Sequence, residues 1–135
     1  MCTASNYITK KHYFGRNFDY EISYNEKVTI APRNYKFDFK LIDSIDSHYA
    51  MIGMARVIND IPLYFEATNE MGLSMAGLNF PENAVYNGFA EGKDNVAPFE
   101  LIPWILSKCS SVGEVKSLLN KINLVNIDFS KELPL

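Results

Sequence analysis

The sequence predicts an α+β fold, a mostly antiparallel sheet with helices packed on one of its faces. Three observations carry that reading. The residues up to Leu78 break into short runs of strand length that alternate or stay apolar, the positions after Pro98 switch to helical spacing, and Gly, Pro, Asn and Asp collect between the runs. A chain of 135 residues is one ordinary domain, and its 47% hydrophobic content with 13% aromatic residues excludes disorder. We find no repeat, low-complexity tract or linker that would divide it, so residues 1–135 read as a single unit.

Taken in order, residues 4–9 and 12–16 are two short strands joined through Lys10 and Lys11. Residues 15–20 follow, the densest mixture of charge, amide and aromatic side chains in the chain. Gly15 admits a close backbone approach there, and Arg16 and Asp19 are near enough in sequence to share a site or simply to form a loop salt bridge. Residues 27–32 form a further strand. Residues 35–40 alternate so strictly (Tyr35, Phe37, Phe39 against Lys36, Asp38, Lys40) that they predict a strand with one buried face. Residues 42–47 read as a turn region, and residues 49–57 as a central, nearly continuous apolar strand containing Gly53. Turn chemistry at 59–62 leads to strands at 63–67 and 73–78, separated by Asn69, Glu70, Met71 and Gly72. Tyr64 and Phe65 read as core at this level.

Residues 82–95 are polar, contain Gly and show no period, which predicts a long loop. Pro98 suits a helix start, and Leu101, Ile102, Ile105, Leu106 and Cys109 recur behind it at helical spacing, with Pro103 early enough to be tolerated. Ser111 and Glu114 form a capping box, and Val112, Val115, Leu118, Leu119 and Ile122 are the apolar stripe of a second helix. Roughly seven strands and two helices result, and both stripes are expected to cover the sheet. The apolar end at Glu132, Leu133, Pro134 and Leu135 reads as an interruption.

Net charge is −3 and the basic residues are scattered, which argues against a nucleic-acid partner. No run approaches the length of a membrane span, and the N-terminus lacks the apolar core of a signal peptide, so a cytoplasmic protein is expected. His12 and His48 read as surface or edge residues without metal spacing, although a Cys and His dyad formed in space stays open; no metal and no cofactor is expected. Cys109 reads as a small buried hydrophobe. Cys2 is different. Once Met1 is removed, it carries a thiol and an α-amine on one residue, and an amine titrating near ~8 can take the proton of a thiol titrating near ~8.5. An N-terminal nucleophile of this kind is one solution for acyl transfer.

Met1-Cys2-Thr3, the block from Phe14 to Tyr20, Asn69-Glu70-Met71-Gly72 and the run from Met75 to Phe80 together resemble, in order and spacing, the choloylglycine hydrolase family, closest to its bile salt hydrolases, whose relatives include penicillin V acylases. The resemblance runs over essentially the whole chain. It implies the N-terminal portion of an αββα N-terminal-nucleophile hydrolase sandwich, and cleavage, without cofactor, of the amide joining a bile acid to glycine or taurine. Carried over by position, Cys2 is the nucleophile and its amine the base, Arg16 and Asp19 hold and polarise them, and Asn79 is an oxyanion-hole donor. Asn79 stands where penicillin V acylases typically have Tyr, which favours bile salts. Phe18, Tyr24 and Phe65 line the steroid pocket, and Leu133 and Leu135 border it. The family also implies homo-oligomeric assembly at full length. Its members are more than twice this long and supply a further Asn and Arg from their second half. The chain is therefore expected to be a fragment of the enzyme, or a truncated and inactive half-domain with at most a binding role.

Overall fold

The computed structural model describes residues 2–78 and 83–131. Strands β1 (Thr3–Ile8) and β2 (His12–Asn17) form an antiparallel hairpin that is a two-stranded sheet of its own. The main sheet is antiparallel in the order β3 (Lys27–Ala31), β4 (Met51–Ile58), β5 (Ile61–Asn69), β6 (Ser74–Ala76). Asn59 and Asp60, with φ of 48° and 65°, make the two-residue turn between β4 and β5, the geometry that matches the twist of paired strands.

One irregularity in β5 organises the sheet. Met54 pairs with Glu66 while Ala55 pairs with Tyr64, so Phe65 is the extra residue of a β-bulge. The bulge keeps Tyr64 and Ala67 both buried on the core face and frees Phe65 and Glu66 for other partners. Gly53 makes it possible: a Cβ on Gly53 would lie 2.0 Å from the Glu66 carbonyl oxygen.

After β7 (Asp94–Val96), a 3₁₀ turn (Pro98–Glu100) runs into α1 (Leu101–Lys108), followed by α2 (Val112–Leu119) and β8 (Ile122–Leu124). Helix α1 packs on β5 and β6, burying Trp104, Ile105 and Leu106 against Met51, Ala55, Ala67 and Leu73. Pro103 sits in the first turn of α1, where its missing N–H breaks no helical bond. Buried Asn69 ties α1 to the sheet: its Nδ2 donates to the carbonyls of Leu106 (2.9 Å) and Cys109 (2.8 Å), and its Oδ1 accepts from the backbone N–H groups of Met71 and Leu73. Glu70 beside it accepts from Arg33 Nε at 2.8 Å and from the Ala50 N–H at 2.9 Å, and Gly72 takes φ of 83°. The block from Asn69 to Gly72 is thus a turn bolted to the helix and to β4.

The α+β class holds, with four corrections to its parts. Residues 35–40 are not a strand: the alternation is real, with Phe37 buried and Lys36 and Asp38 exposed, but pairing is limited to the bridge between Phe37 and Ile45. His48 is buried rather than peripheral, its ring nitrogens each 2.7 Å from a carbonyl, of Tyr49 and Tyr35. Helix α2 buries no residue; Val115 and Leu118 touch the core while Val112 and Leu119 are exposed. Its cap is as expected, Ser111 Oγ accepting from the Glu114 N–H, although the Glu114 carboxylate reaches Ser110 instead of Ser111. Finally, β7 and β8 pair in parallel, one running from the end of the predicted loop and the other from the predicted end of the second helix, with both helices forming the crossover between them. On the sheet face away from α1, Val28 and Ile30 are 67% and 66% exposed, beside Ile52.

Two outcomes follow for stability. Gly53→Ala places a methyl group against backbone that cannot yield, and lowers unfolding free energy by about 3 kcal/mol, read from the urea midpoint. Arg33 and the Ala50 N–H hold the Glu70 carboxylate down to about 2 from 4.5. A carboxylate lowered on folding stabilises above its ordinary value, and that contribution is lost as pH falls from 4.5 toward about 2. Glu70→Gln therefore makes the urea midpoint less sensitive to acid in this window, and an undiminished acid response would show that the pairing contributes nothing.

Candidate active site

The hairpin brings the N-terminus to the chemistry. Thr3 pairs with Asn17 and Ala4 with Arg16, and the Thr3 N–H donates to Asn17 Oδ1 at 2.6 Å, so the residue before Thr3 is held by ordered strand on both sides. Cys2 is half-buried with a free thiol, 3.8 Å from the Asp19 carbonyl oxygen to which its Sγ donates. Burial raises the thiol, but a backbone hydrogen bond from Asp19 and the Arg16 guanidinium outweigh it, and Cys2 titrates below the ordinary thiol value. Cys109 shows the opposite balance: burial beneath α1 pushes its thiol up.

Arg16 carries most of the organisation. It lies on β2 with its side chain 2% exposed, and crosses from the hairpin to the bulge of β5. Nη1 donates to the Phe65 carbonyl at 3.2 Å, Nε stands 3.2 Å from Glu66 Oε2, and Cζ lies 4.8 Å from the centre of the Phe18 ring. Nη2 has no hydrogen-bond partner among the described residues. The ion pair seen at this guanidinium runs to Glu66 on the main sheet.

Beside the thiol stands an aromatic wall. The Phe18 ring is 4.7 Å from those of Phe65 and Tyr20, Tyr20 is 5.3 Å from Tyr24, and Tyr24 is 5.9 Å from Phe65. Burial raises the Tyr20 phenol, and the charge of Cys2 adds to the shift. Cys2, Arg16, Asp19, Phe18, Tyr24 and Phe65, all singled out from the sequence, thus meet at one place. Asn79, Leu133 and Leu135 lie outside the described residues. Two participants were missed. Tyr20 alternates with Phe18 in the charged block, and Glu66 is the one charged residue of β5, which are the signals that could have found them. Among the described residues no group of three or more His, Cys, Asp or Glu could hold a metal, and no helix is long and apolar enough to cross a membrane. What the arrangement offers is a thiol biased toward thiolate, next to an apolar surface that can seat a bulky acyl group.

Comparison with known proteins agrees with this chemistry. Residues 2–134 match the profile of the linear amide C–N hydrolases, choloylglycine hydrolase family. A bile salt hydrolase/transferase of Lactiplantibacillus plantarum is 55% identical over 135 residues, and a conjugated bile acid hydrolase of Lactobacillus gasseri is 41% identical over 129. The first alignment spans 100% of this chain and 42% of the relative, the second 93% and 41%. The crystal structure of a mutant conjugated bile acid hydrolase from Clostridium perfringens superposes with a TM-score of 0.92 at 38% identity, covering 100% of this chain and 42% of that one. The chain therefore spans less than half the length of the relatives it matches. With the profile matched over almost every residue and the structure superposed on a solved relative, the chain belongs to the choloylglycine hydrolase family.

Proposed function

We propose that these 135 residues are the nucleophile-bearing N-terminal part of a choloylglycine hydrolase domain, and that the enzyme hydrolyses bile acids conjugated to glycine or taurine. The observation that carries this reading is the lowered Cys2 thiol, held between Arg16 and the Asp19 backbone against the wall of Phe18, Tyr20, Tyr24 and Phe65. The relatives' own activities, conjugated bile acid and bile salt hydrolysis, support the choice of substrate.

In this reading, removal of Met1 exposes the Cys2 α-amine. The amine takes the thiol proton, and Sγ attacks the carbonyl carbon of the amide. The tetrahedral intermediate collapses to a thioester as the amine passes the proton to the departing glycine or taurine nitrogen. Water, deprotonated by the same amine, then releases the bile acid and restores the thiol. Asp19 holds the amine, Asn79 donates to the oxyanion, and Leu133 and Leu135 border the steroid pocket with Tyr24 and Phe65. The aromatic wall receives the apolar steroid, and the reaction draws on no cofactor. The enzyme is assigned to the cytoplasm as a homo-oligomer without a nucleic-acid partner.

A second reading is an inactive half-domain with at most a binding role; the chain spans 42% of the first relative. Incubation of the 135-residue chain with glycocholate and taurocholate, followed by assay of free glycine and taurine, separates the two: sustained turnover sinks the second. In a chain of the relatives' length carrying these residues, Cys2→Ser lowers amino-acid release at least about a hundredfold. Unchanged hydrolysis in that variant overturns the first reading, and faster cleavage of penicillin V than of glycocholate would move the substrate to the penicillin V acylases. Thiol labelling is an independent check. At neutral pH iodoacetamide modifies Cys2 at least about tenfold faster than Cys109, measured by peptide mass spectrometry, because only Cys2 combines exposure with a lowered thiol pKa.

A further inference from the structure

We propose that Glu66 is the positioning residue of this site, fixing the Arg16 guanidinium so that its free N–H edge serves the Cys2 thiol. The inference deepens the reading of Cys2 as nucleophile and rests on it. A guanidinium that is 2% exposed has left water, and a buried cation without a counter-charge is costly enough to drive its side chain elsewhere. The carboxylate of Glu66 supplies a counter-charge, 3.2 Å from Arg16 Nε. The Phe65 carbonyl accepts from Nη1. The Phe65 carbonyl fixes Nη1 and the Glu66 charge draws the Nε side of a rigid, planar fork, and together they set the direction of Nη2. Nη2 is buried and has no hydrogen-bond partner among the described residues.

Both anchors come from the bulge: the Phe65 carbonyl belongs to its extra residue, and Glu66 is the next residue along the strand. Across the sheet Glu66 stands opposite Met54 on β4 and Ala76 on β6, neither of which carries a charge. The charged and titratable groups near the thiol come from the hairpin and the segment after it: Arg16, Asp19 and Tyr20. Glu66 Oε2 and Arg16 Nε do not meet hydrogen-bond geometry despite their separation, so the contact acts through charge. An amide of the same shape cannot replace it.

The test is a double-mutant cycle read out on Cys2, using the pH dependence of its alkylation by iodoacetamide in the whole chain. Arg16→Leu raises the apparent thiol pKa. Glu66→Gln raises it by about half to one unit when Arg16 is present, and does not raise it in the Arg16→Leu background. Glu66→Asp, which keeps the charge at shorter reach, gives a smaller shift of the same sign and serves if the Gln variant does not fold. The proposal is overturned if Glu66→Gln leaves the Cys2 titration unmoved, or if its effect is the same in both backgrounds, since the carboxylate would then act on the thiol directly. If Arg16→Leu raises the pKa and the Glu66 variants do not, the positioning role alone fails. If Arg16→Leu itself is silent, the activation of Cys2 by Arg16 fails with it.

Discussion

A single buried cation governs the arrangement around Cys2. The hairpin that presents the thiol is a separate two-stranded sheet, and its outer residues Tyr7, Ile8 and Tyr13 are exposed. What joins it to the body of the protein is Arg16, together with the packing of Phe18 on Phe65. The burial of this charge sets requirements on everything it meets. It needs a carbonyl that can take a second donor and a carboxylate on neighbouring residues of one strand, which the bulge at Phe65 provides. The bulge in turn needs room, which Gly53 supplies on β4, and a second donor for its carbonyl, which the Gly77 N–H supplies at 2.8 Å.

Much of this was legible from residue types and spacing, and what was not has identifiable causes. Hairpins and long antiparallel strands announce themselves because each carries its own period and turn chemistry, as with Asn59 and Asp60 between β4 and β5. Residues 35–40 deceived because alternation reports which way side chains point and says nothing about whether a neighbouring backbone is there to pair. The pair β7 and β8 escaped because three-residue strands brought together across two helices have no local signature. His48 escaped for a related reason: its two carbonyl partners, at Tyr35 and Tyr49, are set by the course of an irregular loop.

The site divides along the same line. Cys2, Arg16, Asp19 and the three aromatics Phe18, Tyr24 and Phe65 were found through local composition and a family pattern. Their meeting with Glu66 depends on strand register, and a one-residue irregularity in register cannot be read from one strand in isolation. The block from Asn69 to Gly72 shows the converse. It belongs to the same pattern as Cys2, yet its side chains bond α1, the residue before β4 and their own turn, so its place in that pattern follows from architecture and not from contact with the thiol.

The bulge has a further meaning for how such an enzyme can change. Phe65 shapes the aromatic wall, while Glu66 and the Phe65 carbonyl anchor the guanidinium beside Cys2; under the proposed function the wall receives substrate and the guanidinium sets thiol reactivity. Substrate range and nucleophile strength are therefore written in adjacent codons and share one backbone distortion. Selection for a differently shaped substrate at Phe65 perturbs the anchor of Arg16 with the same step, so variants that broaden the pocket inherit an altered thiol unless a second substitution restores it. Divergence at this position is expected to proceed in pairs.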